Sequence, residues 1–155
     1  MLRLTLAALH LVALGLGLGA VIARGAALRE QPASAASLRL AFRSDSLWGI
    51  AAALWIATGL WRLLAGTEKV PHYYYANVLF QTKMALLALI LALEVWPMAT
   101  LVRWRAALGR GEGVEQVAAP SAARRIATLS RVEALLVVLM VCAAVGMARG
   151  YGARG

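Results

Sequence analysis

Four apolar runs divide the chain, at residues 4–22, 46–64, 78–101 and 132–148, with polar, arginine-bearing stretches between them. Each is near the roughly 20 helical residues needed to cross a hydrocarbon core of about 30 Å. The pattern predicts an all-α fold: an integral membrane four-helix bundle of up-down topology, forming one domain over residues 1–155. The boundaries carry helix signals. Asp45 or Ser46 and Asn77 suit the N-caps of the second and third spans, and Pro120 with Ser121 marks a helix start, the last helix beginning in water near Ala122. Gly109 to Gly113 reads as a hinge. The stretch 23–45, which includes Arg24, reads as an exposed connection whose LRLAFR segment lies along the membrane surface. Residues 65–77, with Pro71, His72 and three tyrosines, read as a polar turn in which His72 is solvated and the tyrosines form an aromatic belt.

Within the runs, side-chain spacing singles out particular faces. In the first, His10, Ala13, Gly17 and Ala20 form a flank of small residues suited to close helix contact, and Gly15 with Gly19 makes a small-xxx-small pair, so His10 is expected to face inward. Arg3 resembles the charged start of a signal peptide, but the length of the run, His10 within it and Arg24 after it favour a retained span. In the second run Trp48, Trp55 and Arg62 recur every seven residues near one face, beside Gly59. Trp48 and Trp61 read as interfacial and Trp55 as packed, the alternative being an aromatic wall for a planar ligand. The third run carries both Lys83 and Glu94. Eleven positions bring them to one helix face within about 20°, yet about 16 Å apart along the axis, so they cannot pair directly. Ionisable residues inside a span are candidates for function. Lys83 either snorkels to the headgroups or faces a polar interior. Glu94 is expected near the opposite interface, neutralised by Arg43 or Arg131, with Trp96 and Pro97 at the same boundary and a kink where Pro97 frees the Leu93 carbonyl.

Composition supports the membrane reading: 62% of the 155 residues are hydrophobic, 15% are charged, and the mean hydropathy is +0.74. The formal charge of +9 comes from cations placed between apolar runs, which leaves no soluble basic domain to bind nucleic acid. Ten arginines fall in the first and third connections, against Arg3, Arg62, Lys69, Arg149 and Arg154 on the side of the termini. That bias places the long connections in the cytoplasm and both termini outside, in a bacterial inner membrane. The single cysteine, Cys142, excludes a disulfide framework. A bundle of four short spans encloses little volume, which leaves a homodimer open.

This topology makes depth readable. His10 and Lys83 lie about six and five residues into parallel spans, so both sit roughly 8 to 9 Å below the outer edge. Arg62 and Cys142 fall in the same outer half. Together they predict a basic, imidazole-containing pocket suited to an anionic or metal-bearing ligand. His10 is the metal-ligand candidate. With Met140 and Cys142 it could form a soft site for cuprous copper, whereas the bland reading of Met140, Cys142 and Met147 is packing.

The segments WIATGLWRLLAGTEKVPHYYYANVLFQTKMALL and EVWPMATLVRWRAAL resemble the bacterial four-helix membrane proteins grouped as domain-of-unknown-function family 2214. The resemblance runs from His10 through the last span and implies an architecture without an activity. More distantly, the layout is similar to that of the membrane protoporphyrinogen oxidases thought to bind haem, and to the membrane domain of copper-resistance proteins. His10 and Lys83 stand where the oxidases have a first-span histidine and a third-span lysine, while Gln81 replaces their second histidine. The resemblance implies haem or another tetrapyrrole as ligand, with His10 as axial ligand, Arg62 and Lys83 on the propionates and Trp55 flanking the ring. The alternative is a transport or interaction module for a small anion, proton or copper, with Lys83 and Glu94 at the two ends of a polar path.

Overall fold

A computed structural model describes residues 1–65 and 76–152. Among the described residues four helices are long and apolar enough to cross a membrane: α1 (Leu2–Ala27), α2 (Ala35–Leu64), α3 (Val78–Gly109) and α5 (Pro120–Ala148), with a single turn α4 (Val114–Val117) before the last. Large apolar side chains such as Leu11, Ile50, Val95 and Leu135 cover the outside, as a bundle solvated by lipid requires. Expectations about His72 and the three tyrosines concern residues outside those described.

The helices exceed the apolar runs because of how their ends are satisfied. α2 starts eleven residues before Ser46. Ser34 and Ser37 form a reciprocal box, Ser37 N–H donating to Ser34 Oγ at 3.0 Å and Ser34 N–H to Ser37 Oγ at 2.9 Å, which satisfies amides at the helix start. LRLAFR is therefore a continuous part of α2. Asp45, expected as a cap, lies well inside the helix instead.

Asn77 does cap α3, its Oδ1 accepting from the Leu79 and Phe80 amides at 2.9 and 3.3 Å. It also donates through Nδ2 to the Tyr151 carbonyl at 3.0 Å, and Val78 N–H donates to Gly152 O at 2.9 Å, which ties the start of α3 to the chain beyond α5. α3 continues through the buried Pro97 to Gly109, and Gly111 turns the chain at a φ of +88°, where an L side chain would be strained. Pro120 occupies the first turn of α5, as expected.

His10 near the start of α1 meets Thr58 near the end of α2, and Arg24 near the end of α1 meets Asp45 on α2 and Ser130 on α5. α1 is therefore antiparallel to α2 and α5. The same Arg24 meets Glu94 in the later half of α3, which runs parallel to α1. α1 packs closely on α2 and against α5, and α3 packs on α5. By contrast, α2 and α3 touch at few points.

Close approach of α1 and α2 depends on Gly17. A Cβ there would stand 3.1 Å from the Trp48 ring. Trp48, expected at an interface, is thus buried against α1, whereas Trp61 is exposed. The packed face of α1 is Ala13, Gly17, Ala20 and Val21; Gly15 and Gly19 point outward, where an added Cβ would meet nothing within 4 Å. A second core, built on Leu28, Leu38, Leu101, Trp104 and Ile126, closes the arginine-rich end. Residues 23–45 are therefore mostly helical, with Arg24, Leu28, Leu38, Ala41 and Ser44 buried, and not an irregular exposed connection.

Candidate functional site

The helices enclose two polar features at opposite ends of the bundle. Near the start of α1 a cavity of about 450 Å³ is walled by all four spans, with His10 from α1, Trp55 and Arg62 from α2, Phe80 and Lys83 from α3, and Met140 from α5. Most of its remaining wall is aliphatic. The structure thus brings His10, Trp55, Arg62 and Lys83 to one site.

The orientation of His10 follows from its neighbours. Its Nδ1 lies 3.0 Å from Thr58 Oγ1, and that hydroxyl lies 2.7 Å from the Leu54 carbonyl and 3.1 Å from the Trp55 carbonyl. A hydroxyl has one proton, and the helix carbonyls can only accept it. With its proton on a helix carbonyl, Thr58 accepts from His10 in the tautomer that carries the ring proton on Nδ1. Gly59 makes room for the ring: a Cβ there would stand 3.2 Å from His10 Cε1. Trp55 stands behind it, ring centroids 5.7 Å apart and planes tilted by 37°. The buried Trp55 Nε1, a donor, has no hydrogen-bond partner among the described residues.

About 21 Å away along α1, counting 1.5 Å per residue, Arg24 is fully buried at the centre of an ion cluster. Nε donates to Ser130 Oγ at 3.0 Å; Nη1 donates to Asp45 Oδ1 at 2.9 Å and to Glu94 Oε1; Nη2 donates to Glu94 Oε2 at 2.8 Å and to Glu133 Oε2 at 2.6 Å. These contacts employ all five guanidinium donors and join α1, α2, α3 and α5. Gly25 lets α5 approach, since a Cβ there would meet Ser130 Cβ at 3.0 Å. Glu94 is thus held by Arg24, not by Arg43 or Arg131. Both of those arginines are exposed, each two residues from an inward-facing carboxylate, Asp45 or Glu133, and so on the opposite side of its helix.

The two polar ends do not form a path through the described core. Ala13, Gly17, Trp48, Ala51 and Val137 pack between them around a void that admits no water, and Val21, Ile90 and Leu136 complete the apolar layer. Nor does the copper set assemble. Met140 lines the cavity, but Cys142 is exposed on another face of α5. Among the described residues no group of three or more histidine, cysteine, aspartate or glutamate side chains is arranged to hold a metal ion.

Sequence reasoning did not find Arg24, Asp45, Glu133, Ser130 or Thr58. A signal was present for two of them. Arg24 extends the buried series Ala13, Gly17, Ala20, and Glu133 falls within the series Ile126, Ser130, Val137, Met140, both at the three- and four-residue spacing of one helix face.

Neither the curated proteins nor the solved structures contain a match to this chain. A family described as "Predicted membrane protein (DUF2214)" matches residues 2–152. The chain is a multi-pass membrane protein and belongs to the DUF2214 family.

Proposed function

We propose that this protein binds haem or a related tetrapyrrole in the His10 cavity, as a redox-active or carrier component of a bacterial inner membrane. The observation that carries the reading is the contact of His10 Nδ1 with Thr58 Oγ1 at the cavity wall. In the tautomer that donates from Nδ1 to Thr58, Nε2 is the ligating nitrogen of an imidazole in the wall of a largely apolar cavity. A metal-ligating histidine is ordinarily oriented in this way, through its other ring nitrogen.

The rest of the wall fits the same class of ligand. Arg62 and Lys83 supply positive charge for carboxylates, Trp55 and Phe80 supply flat apolar surface, and Met140 and Met147 offer thioether sulfur from α5. One-electron redox chemistry is what a haem supplies when bound; these side chains bind, orient and shield it. In this reading the arginine-rich connections are cytoplasmic and the cavity opens toward the outer side.

The test is a reduced-minus-oxidised visible spectrum of detergent-purified protein from haem-replete cells, alongside His10→Ala. Soret and α bands in the parent that vanish in the variant support the reading. A featureless parent spectrum rejects it. If Lys83→Met then impairs anion uptake in proteoliposomes, a non-enzymatic transport module takes its place.

A further inference from the structure

The seam between α2 and α3, where the two helices barely touch, contains a groove of about 510 Å³ at the arginine-rich end of the bundle. On α2 its wall runs Arg39, Arg43, Leu47, Ile50. The spacing of four, four and three residues keeps these side chains on one helix face, basic at one end and apolar at the other. From Arg39 to Ile50 is about 16 Å of helix. With the arginines at the headgroups, a span of that length extends into the hydrocarbon.

Arg105 closes the groove from α3. Its Nη2 donates to the Phe42 carbonyl at 2.9 Å and to Ser46 Oγ at 3.2 Å, and the guanidinium stands 5.1 Å over the Phe42 ring. These contacts hold the side chain across the seam without neutralising its charge. Among the described residues no acidic side chain lines the groove. Among the described residues Arg39, Arg43 and Arg105 form no salt bridge; the nearby Asp45 is directed to Arg24 in the interior. Three guanidinium groups therefore face one opening that continues into exposed aliphatic surface at Leu47 and Ile50.

We propose that this groove is a binding site for one anionic phospholipid, its phosphate on Arg39, Arg43 and Arg105 and an acyl chain along Leu47 and Ile50. Guanidinium groups match phosphate oxygens through paired N–H donors, and basic pockets between membrane helices select anionic headgroups. The acyl chain fills the side of the seam where α2 and α3 do not pack. Ser46 and the Phe42 ring fix Arg105 in place before the lipid arrives, so little side-chain order is lost on binding.

The experiment titrates delipidated full-length protein with phosphatidylglycerol or phosphatidylcholine and counts bound lipid by native mass spectrometry. The parent is compared with Arg43→Gln/Arg105→Gln and with Arg29→Gln/Arg124→Gln, a pair of exposed arginines outside the groove with the same change in net charge. Preferential retention of one phosphatidylglycerol, weakened about thirtyfold in the groove variant and unchanged in the control, supports the site. Equal weakening in both variants shows diffuse charge attraction and overturns it. Equal binding of the two lipids overturns it as well, as does displacement by inorganic phosphate at concentrations comparable with the lipid, which shows a phosphate site without an acyl component. Arg39→Gln alone, at an exposed position, repeats the test should the double variant fail to fold, and an unchanged affinity there counts against the proposal.

Discussion

Replacing Arg24 with methionine should be among the most destabilising single changes in this protein. The side chains of Arg24, Asp45, Glu94 and Glu133 are 0%, 10%, 15% and 0% exposed, so solvent screens the cluster weakly. Removing one partner of a buried ion pair costs about 3–5 kcal/mol, because the charge left behind is unpaired. Here one substitution removes the common partner of three carboxylates. The three losses share that partner and do not add, which places the cost near the upper value, about 5 kcal/mol. At roughly 2–4 °C per kcal/mol for a domain of this size, melting should fall by about 10–20 °C. Thermal unfolding in detergent, followed by tryptophan fluorescence, can read both ends of the bundle, since Trp55 lies beside the cavity and Trp104 in the core at the other end. Arg24→Lys should recover only part of the loss: it restores the charge but offers three donors from a single point where five are used in a planar fork. A methionine variant that melts with the parent would refute the claim that this cluster holds the helices together.

Glu133→Gln should cost less than about 1 kcal/mol, because the amide oxygen keeps the bond from Arg24 while the excess of carboxylate over guanidinium falls; a loss as large as that of Arg24→Met would contradict this. Gly17→Val should cost about 1–3 kcal/mol by overpacking, since even the first carbon of the new side chain meets the Trp48 ring, and thermal unfolding reads it. Ser34→Ala should cost about 1 kcal/mol as a lost cap, seen as faster amide exchange over residues 35–41 with α1 unaffected. Thr58→Val should cost about 1–3 kcal/mol by stranding the buried His10 Nδ1–H, and in a haem-loaded sample it should weaken or shift the Soret band in the same preparation used for the melt.

The sequence made the membrane bundle and much of its cavity legible, because both rest on short-range periodicity. His10, Trp55 and Lys83 fall on faces that a turn-by-turn count identifies, and depth along parallel spans placed His10 and Lys83 at one level. The ion cluster was hidden by an assumption about where helices end. Apolar runs report where lipid begins, whereas helices end where their amides are satisfied, and the Ser34–Ser37 box lies nine to twelve residues before the run. With α2 started at Ser46, Asp45 is a cap and Arg24 belongs to a connection. With α1 continued to Ala27 and α2 started at Ala35, both lie on packed helix faces within one turn of the apolar runs. Glu94 was recognised as needing a partner, but pairing by sequence distance to an interface favoured Arg43 and Arg131. The burial periodicity of α1 points to Arg24.

The two proposed ligand sites share a dependence on this cluster. The cavity takes Trp55 and Arg62 from α2 and Lys83 from α3, and the groove takes Arg43 from α2 and Arg105 from α3, yet those helices make few contacts with each other. Their separation is set indirectly, by packing through α1 and α5 and by Arg24, which bonds Asp45 on one side and Glu94 on the other. The helices that contact each other least are where a bundle has room for a ligand, and that room keeps its shape only while something fixes both walls. An Arg24 substitution mild enough to leave the protein folded should therefore weaken ligand binding at the His10 cavity about 21 Å away, although it changes no residue there. If Arg24→Lys lowers the melting temperature and leaves binding untouched, packing alone sets the cavity walls and the cluster serves stability only.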